Sequence, residues 1–468
     1  MPERILFLTG RLAEKSLHRV LEDMLPSEFS YEVRDIGINV AGLMTSDMIR
    51  RRVPEKPEAD RIVVPGRCRG DLDALAAHFG IPVERGPDEL KDLPLFFGRS
   101  GKAADLSRHD VKIFAEIVDA PRMTIEAVLE RAHRFRGDGA DVIDLGCLPE
   151  TAFEQLEQMV RALKDGGFAV SVDSVDPDEL LRGGRAGADF LLSLNEETLW
   201  VADEVASTPV LIPSSPGDSE SLHRAMRALS DRGRAFYADP ILDPIHFGFS
   251  DAIVRYVELR RACPQVPIMM GIGNLTELTE ADTSGITAIL MGLVSELRVS
   301  AILTTEVSPH ARRAVREADV ARRMMYAARE DSSLPRGYTS DLLTVHGQKP
   351  FPDTPEEIAE MARAIKDPSF RVQVSTDGIH VYNRNGHHRA TDPFDIWPAL
   401  KLQQDGGHAF YMGVETARAQ IAWQLGKRYA QDQEIDWGCA LDRDLDDKRE
   451  QCAPGTTLEA RRIGRRKS

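Results

Sequence analysis

Between residues 111 and 307 eight short apolar segments recur: VKIFAEIV (111–118), ADVIDLG (140–146), FAVSVDS (168–174), ADFLLSLN (188–195), PVLIPSS (209–215), AFYAD (235–239), PIMMGIG (267–273) and SAILTTEV (300–307). Most of the intervals between them carry apolar residues at helical spacing. In one, Ile125, Val128, Leu129, Ala132 and Phe135 mark a single face. Eight near-uniform strand–helix units over about 200 residues predict a parallel (β/α)8 TIM barrel, because a doubly wound open sheet has no reason to stop at eight equal units. One further apolar run, GITAILMGLVSELRV (285–299), competes as a ninth strand. Its apolar positions 286, 289, 290, 293, 294 and 297 follow a period near 3.6 and Ser284 suits an N-cap, so it reads as a helix.

The 468 residues exceed what one core holds, and the rhythm changes at both ends of the barrel segment. Residues 1–108 read as an N-terminal α/β domain of the flavodoxin- or Rossmann-like kind. There ILFLTG (5–10), YEVRDIGI and ADRIVVPG supply strands, and Leu17, Val20, Leu21 and Met24 share a helix face. GRSGKAADLS (98–107) lacks the GxxxxGK[ST] spacing of a phosphate loop and reads as a linker. The barrel is expected over 109–326. Residues 327–440 read as a C-terminal α+β domain, with a helix start at TPEEIAEMARAI (354–365), a hairpin at FRVQVSTDGIHVYNRNG (370–386) and a long helix at VETARAQIAWQLGKRYAQ (414–431). Residues 441–468 lack apolar periodicity and read as a flexible charged tail.

Charge and cysteine usage narrow the partners. The formal net charge of −16 argues against nucleic acid or an anionic membrane. No window approaches the run of about 18 apolar residues that a membrane span needs. The start, MPERILFLTGRLAEKS, has no signal-peptide pattern. The five cysteines, Cys68, Cys147, Cys263, Cys439 and Cys452, are scattered without a CxxC pair, which speaks against zinc and for a reducing, cytoplasmic setting. A homodimer is the expected assembly.

The active site of a (β/α)8 barrel lies at the C-terminal ends of its strands. Those ends carry Glu116 and Asp119, Asp144, Asp173, Asn195, Asp239 and Asp243, Asn274, and Glu306, with almost no Lys, Arg or His. A mouth so rich in acceptors suits a ligand rich in N–H donors. A carboxylate accepts two parallel N–H bonds in fork geometry, and an aminopyrimidinone ring, as in guanine or a pterin, offers that pair. An amide beside it can donate to a ring nitrogen and accept from another N–H.

With GADVIDLG at the second strand, SVDS at the third, LNEE at the fourth, LDPIHFGF at the sixth and MGIGNLTEL at the seventh follow in the order found in dihydropteroate synthases. The segment 111–310 thus resembles the pterin-binding barrel of that family, which also includes pterin-binding methyltransferases. The resemblance implies that Asp173, Asn195 and Asp243 hold the pterin ring, joined by Asn274, with Asp239, Asp144 and Glu306 as further site residues. It implies that Asp119 and Glu116 serve catalysis by positioning the amine or a metal, with Mg2+ as the assisting ion; no dedicated set of protein metal ligands is predicted. The chain departs from the synthases at Asn274, which stands near the position of their Lys, and in ILTTEV, which has no Arg. Ile245 and His246 replace part of the glycine-rich stretch after Asp-Pro.

The pattern EIVDA…GIGN…TTEVS, with HAFYMGVETARAQIAWQLGKRYAQD (408–432), looks most like the synthase-related proteins of tetrahydromethanopterin biosynthesis. That likeness implies condensation of a 6-hydroxymethyl-dihydropterin diphosphate with a ribofuranosylaminobenzene phosphate. Two alternatives accompany it. One is a pterin-dependent methyl or one-carbon transferase, with His380, His387, His388 or His408 on a corrinoid cobalt. The other is a non-catalytic pterin-binding assembly module.

Overall fold

The computed structural model describes residues 3–53, 57–87, 90–97, 105–149 and 151–442. Residues 98–104 of the expected linker and 443–468 of the expected tail lie outside them. The chain divides into two compact units. One comprises residues 104–344 and 437–441, the other residues 1–103, 345–436 and 442–468.

In the second of these, strands β1 (Glu3–Thr9), β2 (Phe29–Asp35), β3 (Arg61–Val64) and β4 (Val83–Arg85) form a parallel sheet in the order β2-β1-β3-β4. The ILFL run of β1 is buried at every residue because it is the inner strand, packed on both faces. Asp71 caps the helix Leu72–Phe79 by accepting from the Ala74 N–H, and Gly80 ends it in the left-handed conformation that glycine adopts without strain.

The barrel strands are β5 (Lys112–Ile117), β6 (Val142–Gly146), β7 (Ala169–Asp173), β8 (Phe190–Leu194), β9 (Thr208–Leu211), β10 (Tyr237–Ala238), β11 (Met269–Gly271) and β12 (Ala301–Thr305). Seven lie within the segments singled out in the sequence, and β9 begins one residue before its segment, at Thr208. They pair in parallel in the order β10-β9-β8-β7-β6-β5-β12-β11, and an Ala238–Ile268 bridge joins the two ends. The fold is an α/β TIM barrel. The run at 285–299 is helical, as its period demands, over Thr283–Glu296. Its N-cap is Asp282 rather than Ser284, whose hydroxyl instead meets that of Thr344.

Two cores sit on opposite faces of the barrel strands. The large one lies between strands and helices, while Phe114, Val142, Leu192, Val210, Met269 and Ala301 form a small separate cluster inside the barrel. Because side chains alternate along a regular strand, the residues two positions beyond Phe114 and Val142 face the same interior, nearer the mouth. For Phe114 and Val142 those residues are Glu116 and Asp144.

Strands β13 (Arg371–Ser375), β14 (Gly378–Asn383) and β15 (Gly386–Ala390) form an antiparallel sheet in the unit that contains β1–β4. One face is apolar: Val372, Val374, Ile379 and Val381 pack with Ile396, Leu400, Met412 and Ala419. The long C-terminal helix spans Gly406–Leu425 and stops short of the expected 431, because Gly426 closes it in the left-handed conformation (φ 60°). Among the described residues no helix is long and apolar enough to cross a membrane.

Candidate functional site at the barrel mouth

Register brings the first site residues together. Glu116 pairs with Asp144 across β5–β6, and Asp144 pairs with Ser171 across β6–β7. Asp173, two residues beyond Ser171, faces the same interior one layer closer to solvent. Glu116, Asp144 and Asp173 each offer an oxygen, and these oxygens lie within 4.8 Å of one another. Asp144 is fully buried, whereas Glu116 and Asp173 are partly exposed. The Ser171 hydroxyl donates to Asp144 Oδ1. Asp144 Oδ2 is buried and has no hydrogen-bond partner among the described residues. Gly146 makes room for this group, since a Cβ there would lie 2.7 Å from Glu116 Oε1.

Crowded carboxylates taken out of water hold their protons. Burial, then the neighbouring Asp144 and Glu277, push Glu116 up to about 8. Burial, then Glu116 and Asp239, push Asp173 to about 8. Asp144 is raised well above the ordinary carboxylate range by burial and by Asp173, against the opposing bond from Ser171. Asp239, at the end of β10, is raised by burial to about 6, with Tyr256 and the Ile241 N–H working in the other direction. Of the expected acids, Glu116, Asp144 and Asp173 thus lie together as a tight inner group.

Other expected site residues have partners of their own. Asp243 accepts from Arg255 Nη2 at 2.5 Å, and the same guanidinium bonds the Pro240 and Ile241 carbonyls, fastening the Asp-Pro loop to the helix Phe249–Ala262. The adjacent Tyr256 donates to Asp239 Oδ1 at 2.6 Å, and Asp239 also receives the Ile241 N–H. Ile241 and His246 in this loop have positive φ, 66° and 70°, a conformation costly for side chains with a Cβ. Asn274 Nδ2 donates to the Leu242 carbonyl at 2.8 Å, tying the β11 end to the same loop. Asn195 uses its Oδ1 on the Glu197 N–H and so shapes its own turn. Asp119 is exposed and paired with Arg131 at 2.9 Å. The Glu306 carboxylate is buried and held by Arg134 and the Val315 N–H.

Sequence reasoning did not single out Arg255, Tyr256 or Ser171. The first two sit on a helix beyond the strand ends and carry no motif, and Ser171, although it opens the SVDS motif, was given no role there. The loops beyond the strands add an exposed apolar rim, with Val175 after β7, Trp200 after β8, Phe247 after β10 and Val307 after β12. Of the histidines considered for cobalt, His380, His387 and His408 have partners of their own. His380 is buried against Ser375, Asp377 and His387, and His408 pairs with Asp405.

A family model described as a family of unknown function (DUF6513) matches residues 3–88. An uncharacterized protein of Methanocaldococcus jannaschii is 25% identical over 524 aligned residues, covering 92% of this chain and 98% of that protein. Among solved structures, the Yersinia pestis dihydropteroate synthase with a pterine-sulfa conjugate matches with a TM-score of 0.38 and 19% identity, over 48% of this chain and 95% of that one. The Xanthomonas albilineans dihydropteroate synthase in complex with 7,8-dihydropteroate matches with a TM-score of 0.37 and 18% identity, over 49% and 95%.

Proposed function

We propose that the barrel mouth binds a pterin-type aminopyrimidinone and that the chain is a transferase of the dihydropteroate synthase kind. The observation that carries this reading is the Asp173 carboxylate. It is partly exposed at the end of β7 and receives no side-chain bond from any described residue, while Asp239 and Glu116 lie close by. A ligand that presents a ring N–H and an exocyclic amine satisfies such a group in fork geometry. The apolar rim supplies faces for a flat ring, Phe247 foremost. Asp243, braced by Arg255, and Asn195 and Asn274 complete the ring contacts at the edges of the mouth.

The specific reaction we infer is condensation of a 6-hydroxymethyl-dihydropterin diphosphate with a ribofuranosylaminobenzene phosphate, as in tetrahydromethanopterin biosynthesis. The amine nitrogen forms its bond to the exocyclic methylene carbon, and the carbon–oxygen bond to the diphosphate breaks. The diphosphate leaves with the electron pair, and the surplus amine proton passes to Asp119, the exposed carboxylate beyond β5.

Calorimetry with 6-hydroxymethyl-7,8-dihydropterin tests the binding step. At pH 9, above the value of about 8 to which Asp173 is raised, the wild type binds, and Asp173→Asn loses about 1.5–3 kcal/mol per bond to the charged group, tenfold or more in affinity. Equal affinity in the variant overturns the ring assignment. Product formation from both substrates separates the transferase from a non-catalytic binding module.

A further inference from the structure

We propose that Glu116, Asp144 and Asp173 form a binding site for one hard divalent cation of the Mg2+ or Mn2+ class. Three acids in one place are not enough for such a site, because acidic clusters are common on protein surfaces. This one differs in two respects. It is built on three adjacent strands, β5, β6 and β7, whose register sets its ligands side by side. Its central member, Asp144, is fully buried, with one oxygen satisfied by Ser171 and the other without a partner among the described residues. A buried, unpaired carboxylate oxygen is costly, and a cation beside it removes the cost.

The donor set selects the ion. All three ligands are carboxylates, and among the described residues no sulfur or imidazole joins them, which favours a hard cation over zinc or copper. Ligand oxygens within 4.8 Å of one another can converge on one ion at the roughly 2.0–2.1 Å distance of Mg2+ after small side-chain adjustment. Three protein ligands leave about three octahedral positions for water or for anionic oxygens of a ligand. The absence of a side chain at Gly146 preserves the space. Three arginines near the mouth, Arg255, Arg131 and Arg134, are committed to Asp243, Asp119 and Glu306. A bound divalent ion supplies the positive charge that a diphosphate-bearing substrate requires. The cation site does not rest on the pterin reading.

The test is Mn2+ binding to the full-length protein after chelator treatment, read as free Mn2+ by electron paramagnetic resonance. The expected result is one Mn2+ per chain, displaced by excess Mg2+. Asp144→Asn keeps the shape and the Ser171 bond, removes one charge from a crowded group, and weakens Mn2+ at least tenfold. Glu116→Gln, at a partly exposed position, does the same and decides the matter if the first variant fails to fold. Asp203→Asn, which breaks an exposed pair with Arg232, leaves binding unchanged. Absence of stoichiometric Mn2+, failure of Mg2+ to displace it, or equal affinity in both site variants overturns the proposal. A parallel pterin titration in excess chelator reads the other hypothesis alone, so either can fail while the other stands.

Discussion

Two regions of this molecule bury ionisable groups close together, and they treat them in opposite ways. On the polar face of the β13–β15 sheet, Asp377 receives bonds from Ser375, from His380 Nε2 at 2.8 Å and from Arg389 at 2.5 Å. Desolvation works against ionisation there, and the three bonds overcome it, holding Asp377 at about 2. His380 is buried and has a partner at each ring nitrogen, with His387 on the other side at 2.9 Å. At the barrel mouth the acids face one another instead, and Glu116 and Asp173 are driven up to about 8. The sheet network is closed and structural. The mouth is an open set of acceptors whose partners must come from outside the chain.

The sharpest way to break this contrast is to remove a carboxylate from each side. Asp377→Ala leaves the Ser375 hydroxyl as the remaining partner of buried His380 Nε2 and removes the carboxylate that Arg389 meets, and is expected to cost about 1–3 kcal/mol, seen as a lower unfolding midpoint in urea. Asp144→Asn has the opposite sign. It removes the neighbour that crowds Glu116, and stability is expected to rise by about 1–2 kcal/mol at pH 8 without ligand or metal.

The pH profile sharpens the comparison further. Because Glu116 and Asp173 hold protons in the folded state that they lose near pH 4 when unfolded, the mouth favours folding most below about pH 4. That contribution is lost as pH rises to about 8. Asp377 acts in the other direction, since its depressed value contributes stability above about pH 4 that is lost as pH falls through about 2. Thermal melts between pH 5 and 8 should therefore fall with rising pH, and Asp144→Asn should flatten the slope. An unchanged slope in the variant breaks the account of the mouth. The smallest effect is expected for Asp119→Asn, whose exposed pair with Arg131 contributes at most about 0.5 kcal/mol to stability.

Much of this architecture was legible in the chain. The eight apolar segments announced the barrel because a strand buried between a filled interior and a layer of helices must be apolar on both faces. The helix at 283–296 was separable from a strand by period alone. Glu116, Asp144 and Asp173 could each be placed at a strand end, yet their convergence could not be read from spacing, because it depends on which strands become neighbours and in what register. Asp119, Asp243 and Glu306 stood beside that trio among the expected site residues, Asp243 with Asp173 on the ring and Asp119 with Glu116 in catalysis. In the fold each meets an arginine, Arg131, Arg255 or Arg134, carried on a neighbouring helix.

By itself, then, the sequence determined that strands and helices alternate eightfold and that acids and amides stand where the strands end. Periodicity is a local property, and burial makes it binding on the fold. Only the tertiary structure decided which of those acids are satisfied within the chain and which remain available. That outcome rests on contacts between residues far apart along the chain, and at distances of a few ångströms a single guanidinium changes a carboxylate from open acceptor to loop anchor.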